Sequence, residues 1–138
     1  MTGEHSGLVV VDTSAVMAIV KEEAGHPAVQ AVLAGADQRV MSAATGVELG
    51  IVILRRTDGR LRGETILRGL GIEIVPVDAT LGERAVTAYD RFGKGRHPAA
   101  LNFGDCFSFA LAEILGAPLV CVGHDFALTG LGVLPAQN

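Results

Sequence analysis

Four acidic residues stand where a carboxylate is costly. Asp12 closes the apolar run Leu8–Val11, Glu48 lies between Val47 and Leu49, Asp105 opens Asp105–Cys106–Phe107–Ser108, and Asp125 follows Gly123–His124. A carboxylate in apolar company must recover its lost hydration from hydrogen bonds, a counter-charge or a cation. Glu48 is the hardest to explain locally, since an uncompensated buried ion costs roughly several kcal/mol and capping does not apply in mid-helix. Asp12 and Asp105 also carry the signature of helix N-caps, and Asp125 that of a turn residue. If the four converge they repel at neutral pH, and divalent cations relieve that repulsion. Oxygen donors of this kind suit Mg²⁺ or Mn²⁺. The chemistry on offer is phosphodiester hydrolysis by a metal-activated water. No His accompanies a Ser or Cys in a nucleophile arrangement, and a glycine-rich phosphate cradle is missing.

Helical and strand patterns alternate along the chain, which predicts one α/β domain spanning residues 1–138 with a central, mainly parallel sheet of four to five strands. Strands are expected at Leu8–Asp12, Arg39–Ser42, Ile72–Val77 and Leu119–Val122, with a short edge strand in Gly132–Pro135. Asp12 and Asp125 then follow strand ends, where open parallel sheets gather ligands. Helices are expected over Ser14–Glu23, from Pro27 through Ala34, and over Thr45–Arg56, Glu64–Leu70, Asp78–Phe92 and Asp105–Leu115. The helix carrying Glu48 is apolar nearly all round, which predicts deep burial. In Asp78–Phe92 the inner face is read as Leu81, Ala85, Ala88, Tyr89 and Phe92.

Composition sets outer bounds. With 138 residues, 49% of them apolar, the chain has enough material for one real core and some apolar surplus for a partner to cover. Cys106 and Cys121 show no metal or redox spacing and read as buried thiols. Leu8–Val11 is too short for a spanning helix or an export signal, so no membrane association and a cytoplasmic location are expected. The net charge of −4 argues mildly against nucleic acid. Its distribution argues the other way, with arginines 55, 56, 60, 62 and 68 in one group and Arg91, Lys94, Arg96 and His97 in a second. A solvated surface is the equal alternative for both groups.

The strand followed by Asp12–Thr13–Ser14, the helical Glu48, the run Leu101–Asn102–Phe103–Gly104–Asp105 through Ala112, and Gly123–His124–Asp125–Phe126 resemble the PIN-domain nucleases. With the loop Phe92–Gly93–Lys94–Gly95–Arg96–His97–Pro98, the chain is similar to the VapC toxins of that family. The resemblance covers nearly the whole chain, and Gly93–Ala112 is its specific part. It implies a PIN-like fold and an Mg²⁺- or Mn²⁺-dependent endoribonuclease, commonly a homodimer, held inactive by a cognate VapB-type antitoxin. Asp12 and Asp105 would then be direct metal ligands. Glu48 and Asp125 would complete the catalytic pocket, and Ser14 and Asn102 would support it. Lys94, Arg96 and His97 would hold RNA phosphates. A PIN-like module that binds RNA or protein without cleaving is the alternative. Aspartate phosphatases of the haloacid dehalogenase type want an Asp where Ser14 stands. Receiver domains want a Lys after a late strand, yet the only lysines are Lys21 and Lys94.

Overall fold

Short β-branched runs separated by helices assemble a five-stranded, wholly parallel sheet in a computed structural model that describes residues 7–136. Its strands are β1 (Leu8–Val11), β2 (Gln38–Ser42), β3 (Ile72–Val75), β4 (Leu119–Val120) and β5 (Val133–Leu134), in the order β3-β2-β1-β4-β5. The helices are α1 (Thr13–Val20), α2 (His26–Gly35), α3 (Ala43–Arg56), α4 (Gly63–Gly69), α5 (Ala79–Phe92) and α6 (Phe103–Leu115). The expected sheet is present, its edge strand included.

Side chains alternate across the strands, and both faces are covered. Val10, Val40, Leu119 and Cys121 point into one core with Leu81, Ala85, Phe109 and Leu111 of α5 and α6. Val9, Val11, Met41 and Val120 point into the other, with Val16, Val29, Leu49 and Ile53 of α1, α2 and α3. Burial on both faces is why the central strands β1 and β4 read as continuous apolar runs rather than alternating ones.

The strand order fixes where a ligand could sit. From β1 the chain winds outward through β2 to β3, then returns through α5 and α6 to β4 on the opposite side of β1. The carboxyl ends of β1 and β4 therefore flank a topological switch point, the usual ligand crevice of open parallel sheets.

Three expectations need correction. First, α3 is not buried all round, for Leu49 and Ile53 are sealed while Val47 and Ile51 are 63% and 52% exposed. Apolar residues on every side of a helix do not reveal whether this chain itself supplies the outer cover. Second, Tyr89 lies on the exposed side of α5, where its hydroxyl donates to the Lys94 carbonyl. Third, α6 begins at Phe103 rather than Asp105, because Asn102 caps it. Both cysteines are buried free thiols. Among the described residues no helix is long and apolar enough to cross a membrane.

Candidate active site

Asp12 follows β1 and caps α1 through Oδ2, which accepts from the Ser14 backbone N–H at 3.0 Å. The capping expectation was sound but incomplete. Oδ1 accepts a 2.6 Å bond from Ser108 Oγ of α6, and the residue is only 4% exposed. Behind Ser108 stand Thr45 Oγ1 at 3.4 Å and, 3.0 Å beyond it, Ser42 Oγ, all buried. An ionised carboxylate only accepts. The Ser108 proton must therefore point at Asp12, and the hydroxyls behind it satisfy one another when they point the same way. Ser108→Ala removes a charge-assisted bond and is expected to lower stability by about 1.5–3 kcal/mol at neutral pH, read by urea unfolding. An unchanged midpoint would mean that the bond does not hold Asp12.

Glu48 lies one turn into α3. Its Oε1 accepts from Thr13 Oγ1 at 2.8 Å, which ties it to the residue beside Asp12. Its carboxylate rests on Gly104, where an added Cβ would come within 2.7 Å of Glu48 Cδ. Glycine at that position lets the start of α6 pass beneath the carboxylate without displacing it.

Asp105 occupies the third position of α6. In a reciprocal capping box, Asn102 Oδ1 accepts from the Asp105 N–H at 2.8 Å and Asp105 Oδ2 accepts from the Asn102 N–H at 3.0 Å. Burial pushes the Asp105 carboxyl up to about 6, against the lowering effect of the Asn102 bond, with Asp12, Glu48 and Asp125 each adding repulsion. Four acids distant in sequence are thus electrostatic neighbours. Asp125 is exposed and opens the short 3-10 turn Phe126–Thr129.

The neighbourhood is not a finished cage. Among the described residues, no three His, Cys, Asp or Glu side chains gather closely enough to hold a metal ion by themselves. Carboxylate oxygens there are engaged locally, Asp12 by Ser108 and the Ser14 N–H, Glu48 by Thr13 and Asp105 by the Asn102 N–H. The donor set still fits a hard cation. Every side-chain donor is an oxygen, Asp105 sits in a field that favours positive charge, and Mg²⁺ is commonly held by one or two carboxylates plus waters. Burial lifts the Cys121 thiol to about 12, with Asp12 and Asp105 adding to the shift, so it stays a protonated thiol.

The supporting residues are in place with structural duties. Ser14 Oγ accepts from the Val122 N–H at 3.0 Å, joining α1 to the segment after β4, and Asn102 caps α6. The basic loop 94–100 is closed by bonds between Lys94 N and Leu101 O (3.0 Å) and between Leu101 N and Phe92 O (2.9 Å), so it abuts the α6 N-terminus. Within it Arg96 pairs with Asp90 at 3.1 Å, and His97 Nδ1 accepts from the Ala99 N–H at 3.0 Å, while Lys94 has no ion pair among the described residues. The roles of Thr13, Thr45, Gly104 and Ser108 are not among the sequence expectations. The one available signal was hydroxyl and glycine residues lying near each acid.

Comparisons with known proteins bear on the family and the fold. The PIN domain family model matches residues 9–130. A ribonuclease VapC of Mycolicibacterium smegmatis is 40% identical over 127 residues, spanning 91% of this chain and 98% of that protein. Ribonuclease VapC36 of Mycobacterium tuberculosis is 43% identical over 125 residues, 88% of this chain and 90% of that one. Among solved structures, the sarcin-ricin loop cleaving toxin VapC20 of M. tuberculosis superposes with a TM-score of 0.71 at 22% identity, over 89% of this chain and 95% of that one. A toxin–antitoxin complex from Klebsiella pneumoniae gives 0.69 at 19% identity, over 94% of this chain and 99% of that one. At such identities these two structures speak for the fold.

Proposed function

The chain belongs to the PIN-domain family, in its VapC ribonuclease branch, and from that premise we propose that it is an Mg²⁺- or Mn²⁺-dependent endoribonuclease, the toxin of a toxin–antitoxin pair. The observation that carries the reading is that Asp12, at the sheet's switch point, is bonded to Ser108 of the helix that carries Asp105, while its neighbour Thr13 is bonded to Glu48. Asp12 and Asp105 are the proposed direct ligands of the cation, and Glu48 and Asp125 complete the pocket directly or through water. A bound divalent ion supplies Lewis acidity, which makes water a better nucleophile and offsets charge on the phosphodiester.

The protein's own residues do the rest. Ser108 and the Ser14 N–H hold Asp12 in one orientation, and Thr13 holds Glu48. Asp105 Oδ2 is occupied by the Asn102 N–H, which leaves Oδ1 turned to other tasks. Lys94 and, when released from Asp90, Arg96 are proposed to hold RNA phosphates. His97 supports them by shaping their loop. A cognate antitoxin and a second copy of the chain are the proposed covers for the apolar side chains left outside, such as Val47, Ile51, Val86 and Phe103.

Incubating the protein with structured RNA in Mg²⁺ or Mn²⁺ is expected to give endonucleolytic products that excess EDTA abolishes. Cleavage that persists in EDTA would overturn the metal dependence. RNA bound but never cut would favour the non-cleaving module.

A further inference from the structure

Resting on the ribonuclease reading, we propose that Arg55 and Arg56, in the last turn of α3, form a phosphate subsite that holds single-stranded RNA beside the acidic site. Glu48, Val52 and Arg55 follow at i, i+4 and i+7 and share one face of α3. A hollow of about 390 Å³ beside Glu48 is lined by that residue, Asn102 and the apolar side chains of Val47, Ile51, Val52 and Phe103, among others. At Val52 it meets a second hollow of about 380 Å³ lined by Val52, Arg55 and Arg56. The two hollows adjoin at Val52, with Glu48 in the first and the two arginines in the second.

Seven residues at the helical rise place Arg55 ~10 Å along the axis from Glu48. Its guanidinium therefore meets a phosphate flanking the scissile one rather than the scissile phosphate itself. Neither arginine forms an ion pair or side-chain hydrogen bond among the described residues, whereas Arg62, Arg84, Arg91 and Arg96 each have an acidic partner. A planar fork without a partner is suited to bidentate phosphate contact. Glu48 and both cations lie along one helix, an arrangement that suits one backbone following α3 rather than the two strands of a duplex. The competing explanation is that cations in a last turn stabilise the helix dipole. That role would appear in stability and leave RNA binding alone.

The test compares the full chain with Arg55→Gln/Arg56→Gln. A labelled single-stranded RNA of mixed sequence is titrated in EDTA across a salt series, and cleavage of the same RNA is followed in Mg²⁺. The slope of log affinity against log salt is expected to shrink by about 1.4, at ~0.7 per single-strand phosphate contact. The loss in cleavage should fall on KM rather than kcat. Equal slopes and equal KM would overturn the subsite, as would a change confined to urea unfolding or to oligomeric state. A wild-type protein that binds RNA with the larger slope but cuts neither this RNA nor a structured one in Mg²⁺ or Mn²⁺ would sink the ribonuclease reading and leave the arginine contact standing.

Discussion

Asp105→Asn is expected to abolish RNA cleavage while making the cation-free protein more stable at neutral pH. The folded protein holds the Asp105 proton up to a pH of about 6, against 3.8 for an unstrained carboxyl. Below 3.8 the group is neutral in both states, and its contribution to stability is fully present. As pH rises the unfolded chain ionises first, and that contribution drains away until pH passes about 6. At pH 7 the folded protein bears a charge it holds poorly. The gap of about two pH units corresponds to ~3 kcal/mol, discounted to ~1–2 kcal/mol because the side chain is partly exposed and screened. Asparagine keeps an Oδ1 acceptor for the Asn102 N–H, so the helix cap survives the change. Cleavage should fall at least ~100-fold, the upper end of what losing even an indirect metal partner costs. Magnesium supplies a readout independent of activity. At a concentration a hundred times its Kd it should stabilise the wild type by ~2.7 kcal/mol, and most of that shift should vanish in the variant. Equal magnesium shifts in thermal unfolding of the two proteins would remove Asp105 from the cation site.

The same residue shows what a sequence can and cannot disclose. Strands and their parallel arrangement were legible because apolar runs of strand length alternate with helix-length segments, and a parallel sheet covered on both faces requires little more. That Asp12 and Asp125 lie near the carboxyl ends of β1 and β4 followed from the same pattern. The state of each carboxylate did not. Asp12 meets Ser108 across 96 positions of sequence and Glu48 meets Thr13 across 35, contacts that depend on how α6 and α3 are laid over the sheet. Local capping was legible in kind but not in position. Asn102 and Asp105 share one capping box, and only the structure shows that the helix starts before the acid rather than at it. The exposed face of α3 was illegible for a different reason. Val47 and Ile51 look like core residues, and nothing in a single chain's sequence separates a surface the fold covers from one that another molecule covers.

Gly104→Ala carries the argument to a residue with no chemistry of its own. The new methyl group would stand within 2.7 Å of Glu48 Cδ and closer still to Oε2, so one of the two must yield. The atoms it meets are the far end of a flexible side chain, and Glu48 can swing aside without moving α3. The swing forfeits the bond from Thr13, worth about 1.5–3 kcal/mol for a charged acceptor. Against this, alanine gains roughly 0.5–1 kcal/mol over glycine within a helix. The variant should therefore fold, with a net loss of about 1–2 kcal/mol by urea unfolding. Its cleavage rate should drop by about 10- to 100-fold, the range for losing a carboxylate that orients a metal site. Glu48→Gln provides the comparison, since glutamine can still accept from Thr13 but has lost its charge. If the glutamine variant is slow and the alanine variant fast, the charge of Glu48 matters and its resting place does not. If both are slow in folded proteins, the packing of α6 beneath α3 is itself part of the active site.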